Sequence, residues 1–180
     1  MPWDDAVTMV LTYAEIPFDV VYDEDVLEEK LLLYEWLHLH HEDFTGQFGK
    51  FYGSYRAAPW YIEQKKEAED LAQKLGYKKV SLAKLAVSLK IRDFVVGGGF
   101  MFAMCSATDS FDIALAAEGV DICETMFDGD PSEIDYQNKL DFNKTFAFKD
   151  YILEMCDLLD NDRLEMIRLT SNIKFNSINI

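Results

Sequence analysis

Cys105 sits in "FMFAMCSATDSFDIALAAEG", between the short apolar run Phe100 to Met104 and "DSFDIALAA", whose apolar residues recur at helical spacing. The pattern predicts a strand, a sharp turn and a helix. Enzymes that use a nucleophile elbow place Ser or Cys at such a turn, because small neighbours tolerate strained backbone angles and the new helix aims its N–H groups at the site. Cysteine is equally a small buried hydrophobe, so the segment alone leaves both roles open.

A thiol nucleophile needs a neighbouring base or another influence that favours the thiolate. All three histidines of the chain lie in "HLHHEDFTG", as His38, His40 and His41. His40 or His41 is the candidate base and Glu42 the group that would orient it. Gly46, Ser106 and Asp109 are the candidate oxyanion or substrate-binding residues, Gly46 through the "FTG" loop and Ser106 through its N–H. The same stretch crowds imidazoles and carboxylates together, so a metal held by His38, His40 and Glu42 is the alternative chemistry. Gly97 to Gly99 precede a strand rather than a helix and lack the Lys-Ser/Thr of a phosphate loop, which makes them a turn. These motifs imply no cofactor.

These residues need elements to position them. "WDDAVTMVLTYAEI" has helical spacing at Val7, Val10, Leu11 and Ala14 and breaks at Pro17 into a β-rich "FDVVY". A short helix is expected over Leu27 to Leu33 and a strand over Glu35 to His40, followed by a long loop to Pro59. Pro59 to Leu75 and "SLAKLAVSLKIRDFV" are expected helices, the first stopped by Gly76. Alternation of this kind predicts an α/β fold with a mainly parallel sheet. Its strands would be Phe18 to Tyr22, Glu35 to His40 and Phe100 to Met104, with helices on both faces. A doubly wound domain normally begins on a strand and this chain begins on a helix, so the first strand is expected to be lacking, supplied by a longer chain, a partner or the tail "SNIKFNSINI". Residues 1–127 form the expected α/β domain and 128–180 an acidic linker with a C-terminal helical extension, its helix running from Lys149 to Leu169.

The chain has 180 residues, 49% hydrophobic and 28% charged, which suits one folded domain. Its 33 acidic and 17 basic residues give a formal charge of −16, which argues against nucleic acid as a ligand. Cys105, Cys123 and Cys156 are irregularly spaced and odd in number, so neither a disulfide framework nor a paired-cysteine zinc site is expected, and a reducing cytoplasm fits. No signal peptide or membrane span is read from the sequence.

"FMFAMCSATDSFDIALAA" and "YEWLHLHHEDFTG" resemble the strand–cysteine–helix elbow and the oxyanion strand of the class I glutamine amidotransferase-like, flavodoxin-like superfamily. "HLHHEDFTGQFGKFY" with "GGGFMFAMCSATDSFDIALAAEGVDI" is also similar to a bacterial group labelled asparagine synthetase B. The resemblance covers Trp3 to Thr125 and implies a cysteine-dependent hydrolase or amidotransferase acting on a small amide or ester, in a homo-oligomer or as part of a longer chain. The chain departs from these families at named places. Pro2 stands where asparagine synthetase has its N-terminal cysteine, Ser106-Ala107-Thr108 follow Cys105, and no histidine follows His41. The usual downstream His-x-Glu pair is therefore absent, and a non-catalytic binding or regulatory domain of the same fold is the alternative reading. The histidine run also resembles, without matching, the H-x-H-x-D-H ligands of metallo-β-lactamase-like hydrolases.

Overall fold

The computed structural model describes residues 6–48, 52–154, 168–170 and 174–175. Helix α1 (Ala6–Tyr13) buries none of its residues. The segment beyond it pairs with no strand among the described residues, so Phe18 to Tyr22 is not the strand that its β-rich composition predicts. Only Val21 of that run packs on the core; Phe18, Val20 and Tyr22 are exposed. Without a sheet neighbour to take its N–H and C=O groups, the alternating pattern forms no strand, and Asp19 instead accepts the Tyr34 hydroxyl at 2.9 Å.

Helix α2 (Asp23–Leu27) follows, its start fixed by the Tyr22 N–H donating to Asp25 Oδ2 at 2.9 Å. A 3-10 turn over Lys30–Leu33 leads into strand β1 (Trp36–Leu39). The long connection after β1 carries the single-turn helix α3 (Tyr52–Tyr55). Helix α4 (Pro59–Lys74) has its proline at the first turn, and α5 (Val80–Val96) runs to Gly97. The three glycines form the helix-to-strand turn: Gly98 has φ +104°, and a Cβ on Gly99 would sit 2.3 Å from the Phe94 ring. Strand β2 (Phe100–Ala103) and helix α6 (Ser106–Ala116) follow, then the short α7 (Thr125–Asp128).

Strands β1 and β2 pair in parallel, Trp36 opposite Phe100 and Leu39 opposite Ala103, as the alternating pattern predicts. Leu37 and Leu39 share one core with Val26, Leu31, Val87, Ile91, Phe111 and Leu115, so α2, α5 and α6 lie under one face of the sheet. The expectation of helices on both faces is not met among the described residues: Trp36, Phe100 and Phe102 on the other face are exposed.

The C-terminal part corrects the expected Lys149 to Leu169 helix. Strands β3 (Phe148–Lys149), β4 (Ile152–Glu154), β5 (Arg168–Thr170) and β6 (Lys174–Phe175) form two antiparallel pairs, β3 with β6 and β4 with β5. Both ends of the run are thus strands, and 155–167 lie outside the described residues. Among the described residues the tail supplies a neighbour to β3, through Lys174–Phe175, and no third strand to the β1–β2 sheet. Tyr151 and Leu153 are buried in a core with Ile113, Ala116 and Ala117 of the α6 region. Asp112, also buried, accepts the Phe146, Ala147 and Phe148 N–H groups at 2.7 to 2.8 Å. Burial pushes its carboxyl above the ordinary value, against the pull of those three donors. Among the described residues no helix is long and apolar enough to cross a membrane.

Candidate active site at the carboxyl edge of the sheet

Cys105 joins β2 to α6 with φ 52° and ψ −133°, a backbone conformation that residues with a Cβ rarely adopt. Strain of this kind persists where surrounding structure over-determines it, and it clusters at functional sites. Here β2 is fixed by its pairing with β1, and α6 is fixed by burial of Ala107, Ser110, Phe111 and Leu115. The chain must turn within Met104 and Cys105. The Ala107 and Thr108 N–H groups close the first turn on the Met104 and Cys105 carbonyls at 3.1 and 3.2 Å. The Cys105 thiol is left exposed at the positive end of an eleven-residue helix.

The histidines come to the same sheet edge. The Met104 N–H donates to the Leu39 carbonyl at 3.0 Å, extending the parallel ladder past the strand ends. Strand β1 ends at Leu39 opposite Ala103, so His40 and His41 leave β1 at the same sheet edge at which Met104 and Cys105 leave β2. Their rings lie against each other, centroids 3.7 Å apart. His38 faces Phe102 at 5.2 Å, and its Nε2 is buried without a hydrogen-bond partner. His38 is thus a packing residue beside the pair rather than a member of it.

Glu42 holds the edge in shape from the backbone side. Its Oε2 accepts the His40 N–H at 2.6 Å, and its carbonyl accepts the Ser110 hydroxyl at 3.0 Å, which ties the histidine turn to α6. Asp43 fixes the loop beyond: Oδ1 accepts the Thr45 N–H and hydroxyl, and Oδ2 accepts the Gln47 N–H. Phe44, Thr45, Gly46 and Gln47 are all buried, so the start of the expected long loop is a packed turn. Gly46, at φ +78°, lies where a Cβ would come within 2.7 Å of the Ser81 backbone, and its carbonyl faces Cys123 Sγ at 3.8 Å. It belongs to the wall of a neighbouring cleft. Ser106, directly after the cysteine, has a buried hydroxyl with no hydrogen-bond partner. Asp109 stands in the first turn of α6, and its Oδ1 accepts the Ser110 N–H.

A second polar centre escapes sequence reasoning. Lys79 Nζ lies 2.6, 3.0 and 2.5 Å from Asp121, Asp128 and Asp130. Burial acts to lower its pKa, and the three carboxylates overcome this and hold the ammonium above its ordinary value. Among the described residues these three aspartates are the group whose ligand atoms converge within 4.8 Å, and the lysine already supplies their cation. Beside them a cleft of about 580 Å³ is lined by Gly46, Glu69, Gln73, Tyr77, Lys78 and Phe127 among others. "DICETMFDGD" shows the acids, but the lysine comes from more than forty residues earlier, beyond any local spacing. No protein-family model, curated protein or solved structure matches this chain, so the geometry at Cys105 is the ground for a functional reading.

Proposed function

We propose that this chain is a cysteine-dependent amide or ester hydrolase of the class I glutamine amidotransferase-like type, with a flavodoxin-like core. The observation that carries this reading is the left-handed Cys105 between a parallel strand and a helix, its thiol exposed. His40 or His41 takes the thiol proton as Cys105 Sγ attacks the substrate carbonyl carbon. The resulting oxyanion is met by the Ser106 N–H at the helix start. Collapse to a thioester releases the amine or alcohol, which takes its proton from the imidazolium. Water, deprotonated by the same imidazole, then adds to the thioester and restores the thiol. Glu42 acts through the backbone of His40 as a positioning residue. The Thr45 and Gln47 N–H groups are occupied by Asp43, which leaves the α6 start as the donor of choice.

Glutamine is the first substrate to assay, followed by simple esters. Cys105→Ala should abolish release of ammonia or alcohol while leaving the melting temperature within a few degrees of the parent. Turnover that survives in Cys105→Ala would reject the assignment. One observation favours the non-catalytic alternative: the Glu42 carboxylate is engaged by a backbone N–H. On that reading Cys105→Ala changes ligand affinity and no turnover is found with any amide or ester.

A further inference from the structure

Among the described residues, two apolar surfaces lack the cover that their chemistry calls for. The first is the outer face of the β1–β2 sheet. Parallel strands are normally buried on both faces, yet Trp36, Phe100, Phe102 and Met104 are 36% to 61% exposed there. The second is α1. Ala6, Met9, Val10 and Tyr13 fall at i, i+3, i+4 and i+7, the stripe by which a helix packs on a core, and all four are exposed, the larger three by 62% to 92%. No charge falls in "AVTMVLTY".

The two surfaces match in size and kind. Eight helical residues span about 12 Å and four strand residues about 13 Å. At the roughly 150–250 Å² that a large side chain can bury, each surface leaves about 400 Å² uncovered. Within one chain α1 does not cover this face, since the large residues of both surfaces are exposed. Residues 16–22, which pair with no strand among the described residues, join α1 to α2, and α2 is packed with α5 under the covered face of the sheet. An exposed apolar helix on an unpaired connector, in a chain with an uncovered sheet face, is the layout of an exchanged element.

We propose that two copies of this chain pair by exchange, the α1 of each lying across the outer sheet face of the other. Two such contacts, wholly covered, would bury about 1,600 Å² in all, the size of a stable protein–protein interface. The inference rests on these surfaces and not on chemistry at Cys105. It has a consequence there, because Met104 is part of the face: α1 of the second copy would wall the cysteine on one side.

The test is the mass of the full chain in solution, by sedimentation or light scattering. The unaltered chain should be a dimer. A helix variant, Met9→Glu with Tyr13→Glu, and a face variant, Trp36→Glu with Phe100→Glu, should each weaken association at least tenfold with unchanged far-ultraviolet circular dichroism. Mixing the two variants should restore a heterodimer, since one intact helix then meets one intact face. A monomeric parent overturns the proposal, including one in which the helix variant destabilises the fold because α1 covers its own sheet. A dimer indifferent to both variants, as edge pairing of β1 or β2 would give, also overturns it. So does failure of the mixture to associate. If a face variant should misfold, Phe100→Ser alone provides the same comparison.

Discussion

At Cys105, followed by the small Ser106 and Ala107, two rigid elements meet, and the residue is exposed at a backbone angle that a relaxed cysteine avoids. Cys123 shows the opposite fate of the same residue type. It is buried, and burial, helped by Asp128, Asp121 and Asp43, pushes its thiol well above the usual range. Near neutral pH, iodoacetamide should therefore modify Cys105 at least a hundredfold faster than Cys123, read by peptide mass spectrometry. Comparable rates would return Cys105 to the role of a packed hydrophobe. Cys156, the third candidate in that comparison, lies outside the described residues. The elbow was legible in the sequence because its signal is local: an apolar run, a small-residue turn and a helical repeat. The packing of His38, the backbone role of Glu42 and the place of Gly46 in another wall were not, because each is set by a partner distant in sequence.

Among the elements, α6 does the most to fix the site, and Asp112 is its anchor. The acid at the second position of the otherwise apolar "FDIALAA" is the one sequence signal of that role, since a carboxylate on a buried helix face requires donors. Asp112→Asn presents an N–H where an acceptor is needed and leaves at least one of three buried N–H groups unmet. It should cost about 2–4 kcal/mol in urea unfolding. A loss below about 1 kcal/mol would mean that the 146–148 turn finds other partners. Helices with internal periodicity, α4 and α5, were legible to within a few residues, as were β1 and β2. The Phe18 to Tyr22 segment was misread because β propensity expresses packing on neighbouring strands, and among the described residues this segment pairs with none and packs on the core through Val21 alone. The run after Lys149 was misread because short strands pair through the backbone with residues about twenty positions away, which leaves little periodic trace.

For the whole molecule, the dominant fact is a formal charge of −16 on 180 residues. That charge works against compactness and against pairing of two copies, and salt screens it. Raising sodium chloride from about 0.01 M to about 0.5 M should lift the melting temperature by a few degrees and tighten self-association; a fall in either would show that attractive ion pairs outweigh the repulsion. The site itself is also a property of the whole, since β1, β2 and α6 must all be in place before imidazole and thiol share an edge. The most direct measurement of that arrangement needs no knowledge of the natural substrate. An activated ester acylates the exposed Cys105, and the lifetime of the thioester is followed by quenched mass spectrometry. If His40 or His41 serves as the base, the parent should clear the acyl group about a hundredfold or more faster than a His40→Gln, His41→Gln double variant. An acyl-Cys105 as long-lived in the folded parent as in the double variant would contradict catalysis at this edge.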